Sequence, residues 1–200
     1  MISLRNIAEQ CRSILGKGSI QELIQASINA YAVAAKASWY EGQKAGISEV
    51  NGSFIYTFKD QFLQFDDDTE MYFIEMPSSH LDLPHDQGVN QVSWMNSQDQ
   101  PFVRLGVGAL GLFAGLDSAG MGGLEVYTRE GDRMYFPNVK KTDIGIGLDR
   151  KGILLKMAIA LEEADVDMQL SIPPDVMQSI VTMVVEQYAP KEKGLTDRLT

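Results

Sequence analysis

Gly123-Leu-Glu-Val-Tyr-Thr-Arg-Glu-Gly-Asp-Arg-Met-Tyr-Phe136 sets two runs rich in β-branched and aromatic residues on either side of Glu130-Gly131-Asp132. A glycine between two such runs supplies a backbone freedom that tight turns need, so the segment predicts a β-hairpin. Working outward, Ser53-Phe-Ile-Tyr-Thr-Phe58 and Met71 to Met76 have the same character. Val89 to Met95 sets Val89, Gln91 and Ser93 against Asn90, Val92 and Trp94, the alternation of a strand with two different faces. Phe102 to Leu105 is strand-like, and Ile153 to Leu161 forms a last strand. Asp66-Asp67-Asp68-Thr69-Glu70, between two of these runs, is expected at a hairpin tip. It lacks the alternating ligands and central glycine of a calcium loop. Short strands at regular spacing, with no helix-length segment between them, predict an antiparallel β-sandwich or barrel-like sheet over residues 51–161.

Helical periodicity flanks this region on both sides. Leu4, Ile7, Ala8, Cys11, Ile14 and Leu15 recur at spacings of three and four and predict a short helix over residues 3–15, ended by Gly16 and Gly18. Ser19-Ile-Gln-Glu22 has the form of a capping box that opens a second helix, running to about Tyr40. Its alanines at 30, 32, 34, 35 and 37 let a neighbouring helix approach closely. The short connection predicts an antiparallel helical hairpin within residues 1–50. After an acidic link, Pro173-Pro174-Asp175 starts a final helix that ends at Tyr188, before Ala189-Pro190. Its apolar positions cover more than one stripe, so burial on two sides is expected, either between the sheet and the N-terminal hairpin or between subunits. The fold class is therefore α+β: an N-terminal helical hairpin, a central antiparallel region, residues 162–190 as linker and C-terminal helix packed back on the core, and a polar tail over 191–200.

Composition narrows the function. Two hundred residues suffice for a core burying roughly 70 % of the unfolded surface without covalent staples. The one cysteine, Cys11, excludes an internal disulfide and leaves no Cys/His zinc spacing. The start of the chain has neither the basic nor the apolar region of a signal peptide, which predicts a chain made and kept in the cytoplasm. No apolar run approaches the ~18 to 20 residues that span a bilayer, so no membrane partner is expected. Net charge is −10, from 17 basic and 27 acidic residues. Nine of the acids fall between Asp60 and Gln100, where there is no Lys or Arg at all. Such a surface repels phosphate and excludes nucleic-acid binding by charge neutralisation.

Catalytic patterns are weak. Gly106-Val-Gly108-Ala-Leu-Gly111 is a literal G-x-G-x-x-G, with Glu125 or Glu130 as a distant acid for a ribose, but more glycines at 115, 120, 122 and 123 would break the helix that a dinucleotide site requires. A tight turn between strands is the alternative. His80, Asp82, His85 and Asp86 form the chain's one histidine cluster, either a divalent-metal site or a polar loop. No nucleophile elbow, zinc-protease helix or Walker loop occurs, so neither an enzyme nor a cofactor is expected. The competing reading is a nucleotide- or metal-binding enzyme using the Gly106–Gly111 and His80–His85 loops, or a monomeric accessory binding protein.

Trp39-Tyr-Glu-Gly-Gln-Lys-Ala-Gly-Ile-Ser-Glu-Val-Asn-Gly-Ser-Phe-Ile-Tyr-Thr-Phe58 resembles a stretch of the ring proteins of crAss-like bacteriophages. Glu75-Met-Pro-Ser-Ser-His-Leu-Asp-Leu-Pro-His85, Val92-Ser-Trp94, Phe102-Val-Arg104, Glu130 to Phe136 and Ile172-Pro-Pro-Asp-Val176 with Ile180 to Glu186 follow in the same order. The similarity extends over essentially the whole chain, and Leu105 to Gly123 departs from it by carrying more glycine. It implies a structural protein of the virion neck, made in the host cytoplasm, with no enzymatic activity. It further implies a closed homo-oligomeric ring of twelve-fold symmetry, with the portal protein and adjoining ring or tail proteins as partners. DNA would pass through the ring without specific binding. On that reading Asp66, Asp67, Asp68 and Glu70 are candidates for an acidic lumen surface. Trp39, Tyr40, Met177, Val181, Val184 and Tyr188 are candidates for the subunit interface.

Overall fold

A computed structural model describes residues 2–46, 51–84, 87–106, 125–145 and 151–189. The chain forms two compact units, one from residues 1–54 with 161–200 and one from residues 55–160. The class is α+β, with the strands of the second unit inserted between two helical segments of the first.

In the helical unit, α1 (Leu4–Leu15) and α2 (Ile20–Lys44) are joined by four residues; a short helix of the other unit, α3 (Lys141–Ile144), comes before the last helix in the chain. The C-terminal helix α4 (Pro174–Tyr188) packs on both α1 and α2. Ser3 caps α1: its side chain accepts from the Asn6 backbone N–H, and Asn6 Oδ1 accepts from the Ser3 N–H at 3.0 Å. Gly16 closes the same helix with φ 65°, a left-handed cap that glycine adopts at little cost. Leu4, Ile7, Ala8 and Cys11 form the buried stripe of α1, while Ile14 is exposed. They meet Leu23, Ala26, Ala30, Ala35 and Trp39 of α2 and Ile180, Val181 and Val184 of α4 in the core of this unit. Each large aliphatic side chain buried there contributes about 1.5–3 kcal/mol. Burial holds the Cys11 thiol above its ordinary pKa, consistent with a thiol that serves as a small apolar group. The N-terminus is fastened to the linker before α4: Ile2 bridges Leu170, the Arg5 N–H donates to the Val166 carbonyl at 3.1 Å, and the Arg5 guanidinium grips Asp167 through bonds of 2.6 and 2.9 Å.

The β unit contains two sheets. Strands β1 (Ile55–Gln61), β8 (Ile153–Ala158) and β4 (Val89–Trp94) form the smaller, in that order and antiparallel throughout. The larger has the order β2 (Gln64–Asp66), β3 (Met71–Glu75), β7 (Arg133–Phe136), β6 (Val126–Glu130) and β5 (Val103–Arg104). The helix α3 (Lys141–Ile144) lies between β7 and β8 in the chain. As expected, β6 and β7 form a hairpin whose two-residue turn begins at Gly131, with φ 57°. A chain of rings runs from one sheet to the other: Trp94 to Phe102 at 5.5 Å, then Phe102 to Phe136 at 5.0 Å. These separations lie in the favourable range for tilted and edge-on aromatic pairs.

Several expectations are corrected. The sheets do not close into a barrel, and β5 runs parallel to β6 because it enters the sheet beyond that strand and not through a hairpin with it. Ser19 stands at the N-cap of α2, yet its side chain makes no capping bond. The capping box is at Ser3, where asparagine stands in for the usual Glu or Gln. The second helix continues one turn past Tyr40, to Lys44. Only Ile180, Val181 and Val184 of α4 are fully buried, while Met177, Met183 and Val185 remain half-exposed, so the expected two-sided burial is not met within one chain. The tail over 191–200 lies outside the described residues.

Two close approaches depend on glycine. A Cβ on Gly88 would fall 2.3 Å from the Leu81 carbonyl oxygen, since Gly88 and Leu81 both hydrogen-bond Ala158 at the end of β8. A Cβ on Gly152 would fall 3.1 Å from Asp60 Cα, at a bulge where Lys59 and Asp60 stand opposite Leu154 alone. We expect Gly88→Ala to lower stability by about 1–3 kcal/mol, the cost typical of overpacking, as read from urea unfolding. An unchanged midpoint would contradict the close approach. A second prediction concerns acid. The Arg5 hydrogen bond favours ionised Asp167 and lowers its pKa on folding. Its stabilisation is therefore present above the unfolded value of about 3.9 and is lost as pH falls through the lower folded value. Asp167→Asn should melt below the wild type at neutral pH, and the gap should close in acid below about pH 4. A gap independent of pH would rule out the ion pair as its source.

Candidate functional site

The four acids proposed from the sequence come together at one end of the β2–β3 hairpin. Asp66 pairs with Met71 as the last rung, and residues 67–70 make the turn. The Asp66 side chain accepts from the Asp68 backbone N–H at 3.1 Å, closing an Asx turn. Glu70 sits at φ 55°, a left-handed position that completes the reversal. The four are not equivalent. Asp66 is half-buried, with Oδ2 accepting from the Tyr135 hydroxyl at 3.5 Å and lying 3.8 Å from Arg133, whereas Asp67, Asp68 and Glu70 are exposed. Three exposed carboxylates thus stand within four residues on a single turn, close enough for their fields to add.

Arg133 is the nearest cation. Its guanidinium lies 4.5 Å from the centre of the Phe73 ring, 3.9 Å from Glu75 and 3.8 Å from Asp66, all on the face of the sheet that β2, β3 and β7 share. The Tyr135 hydroxyl, followed by these carboxylates, holds the guanidinium even more firmly protonated than usual. Sequence periodicity did not reveal this cluster, because it depends on the register Glu75↔Arg133 and Phe73↔Tyr135, which pairs residues some sixty positions apart.

The open end of the same hairpin carries a feature the sequence did not announce. Leu63 turns inward and is buried, while Phe62 and Phe65 on either side are 46 % and 50 % exposed. Next to them lies a cleft of about 410 Å³ lined by Phe62, Ile74, Met76 and Pro77, with Gln64 and Glu75 among its polar groups.

The candidate interface residues separate into two groups. Trp39, Val181 and Val184 are buried in the core of the helical unit, so their apolar character is explained within one chain, which corrects their reading as contact residues. Tyr40 is 54 % exposed, and Met177 and Tyr188 are half-exposed. The Tyr188 hydroxyl donates to the Glu22 carbonyl at 3.4 Å. Val33, seven residues before Tyr40, is exposed on the same side of α2.

The alternative chemistry is constrained by what its residues already do. His80 Nε2 meets the Arg129 guanidinium, a permanent donor, so this nitrogen acts as the acceptor and is engaged. His85 and Asp86 lie outside the described residues. Among the described residues no group of three or more His, Cys, Asp or Glu is placed to hold a metal ion. Glu125, one of the two acids considered for a ribose, accepts from the Trp94 indole at 2.7 Å, and Glu130 stands opposite Arg133 in the backbone register of the β6–β7 hairpin. Of the glycine motif only Gly106 is described. No described helix is long and apolar enough to cross a membrane. Compared with models of known protein families and with curated protein sequences, the chain matches none.

Proposed function

We propose that this chain is a structural subunit of the virion neck of a short-tailed phage, one copy of a closed ring that stands between portal and tail and extends the DNA channel. The observation that carries this reading is the ordered series of segments, from Trp39 to Glu186, that resembles the ring proteins of crAss-like bacteriophages. A cyclic ring needs two different complementary faces on each subunit. Apolar side chains left exposed on both units, Val33 and Tyr40 on α2 and Phe62 and Phe65 beside β2, are material for such faces. A conduit for a polyanion must not adhere to its cargo. The turn formed by Asp67, Asp68 and Glu70 is suited to line or rim that conduit, since it repels phosphate at close range.

Native mass spectrometry of the chain with portal protein should give a complex of defined stoichiometry, and electron microscopy of that complex should show a twelve-fold ring. A chain that remains single with portal and is missing from purified particles would overturn the proposal and favour a monomeric accessory protein. Tyr40→Glu should keep a folded monomer, since it gives up a ring pair with Trp39 at 4.8 Å worth about 0.5–1.5 kcal/mol, and should lose assembly. Val181→Asp and Val184→Asp should instead fail to fold, being buried within the chain. Replacing Asp67, Asp68 and Glu70 together with lysine should slow genome ejection, measured as DNA release from particles. Unchanged release would remove the acidic turn from the channel.

A further inference from the structure

We propose that the open end of the β2–β3 hairpin is a docking edge for an extended, lysine- or arginine-bearing segment of a partner protein, which adds as a strand to β2 and seats one cationic side chain in the cleft beside Glu75. This goes beyond the ring reading and does not require it.

The backbone supplies the first reason. Among the described strands, β2 pairs with β3 alone and is the outer strand of a five-stranded sheet. Edge strands with free outer backbone groups are the usual templates for strand addition, in which main-chain hydrogen bonds give affinity and alternate side-chain pockets give specificity. The other outer strands are less suited. β5 has only two residues against three in β2, β1 is interrupted by the bulge at Lys59 and Asp60, and on β4 the Val92 carbonyl already accepts from the Phe102 N–H at 2.8 Å.

Side-chain chemistry selects what is added. The cleft offers apolar surface from Phe62, Met76 and Pro77 and a carboxylate at Glu75, whose side chain is 65 % exposed. A long aliphatic stem with a cationic head matches that combination, as lysine and arginine lay their methylenes on apolar surface and keep the charge at its margin. Glu75 already has Arg133 at 3.9 Å, a distance too long for a good hydrogen bond, so its oxygens retain accepting capacity. Phe62 and Phe65 present exposed rings along the same edge for the intervening apolar side chains of the segment.

Charge favours a cationic segment over a second copy of this chain as the occupant. Pairing β2 with β2 in parallel would set Asp66, Asp67, Asp68 and Glu70 of one copy beside those of the other, and antiparallel pairing would put the two turns at opposite ends and bring no cation to Glu75. A segment bearing cations gains from the same field, which also speeds its approach.

The test uses the full chain, isotopically labelled, titrated with a capped heptapeptide alternating lysine and valine and observed by amide chemical shifts. Saturable shifts are expected at Gln61–Asp66 and Ile74–Met76, weakening with salt. The matching glutamate–valine peptide should not bind. Glu75→Gln, a surface change that leaves the fold intact, should weaken binding about two- to five-fold, the range expected for one exposed ion pair. Phe65→Ser should weaken it without changing the salt dependence. Absence of binding at millimolar peptide, equal binding of the acidic peptide, shifts spread over every acidic surface, or an affinity unchanged in Glu75→Gln would each overturn the proposal. So would concentration-dependent shifts at β2 without peptide, which would make a second copy the occupant. None of these readouts depends on ring formation, so a failure here and a failure of the ring reading are separate results.

Discussion

Strand β8 is the element on which the rest of the β unit depends. It pairs along both sides, with β1 and with β4, and five of its six residues are fully buried. Its last residue, Ala158, donates its N–H to the Gly88 carbonyl and accepts from the Leu81 N–H, so the strand's end also gathers the segment before β4. That is why Gly88 must lack a side chain. The constraint is steric as well as polar: two backbone segments meet at one alanine, and no room remains for a Cβ between them. Because β8 comes last among the strands, β1 and β4 stay unpartnered in the smaller sheet until residues 153–158 arrive. Contacts of such long sequence separation carry a large loop-closure cost and slow folding.

Much of this was legible in the sequence, and for specific reasons. The β6–β7 hairpin could be read because a glycine at the first turn position and the β-branched and aromatic runs around it are local signals. Helix α1 could be read because Leu4, Ile7, Ala8 and Cys11 keep the helical period. The capping box was misplaced because Ser19-x-x-Glu22 fits the pattern but makes no side-chain bond, whereas asparagine at position 6 does the work with Ser3. The parallel pairing of β5 with β6 could not be read, since pairing partners are set by tertiary packing and not by local composition. The same limit applies at the candidate site. The acidic turn was visible as a run of aspartates, but the cluster of Arg133 with Phe73, Glu75 and Asp66 exists only through cross-strand register. Apolar residues on α2 and α4 showed that contacts are made without showing with what, and burial assigns Trp39, Val181 and Val184 to the chain's own core while leaving Tyr40 outside it.

The outer strands show how an acidic chain can control association. A sheet edge is an open template, and proteins blunt it by brevity, by bulges or by charge. Here all three devices appear on β5, β1 and β2. β5 is two residues long, β1 is bent at Lys59 and Asp60 where Asp60 takes φ 56°, and β2 carries acids at its turn. Brevity and bulging act on every comer, because they remove or misalign the hydrogen-bonding row itself. Charge is different, since it leaves the row intact and discriminates only by sign. For a chain of net charge −10, an outer strand with acids at its turn disfavours in-register parallel pairing with its own copy and favours a cation-bearing segment. The exposed rings of Phe65 on that strand and Phe62 just before it would invite self-pairing without the repulsion of the neighbouring turn. The acidic turn therefore has a physical role within the chain's own surface, whichever molecule it finally faces.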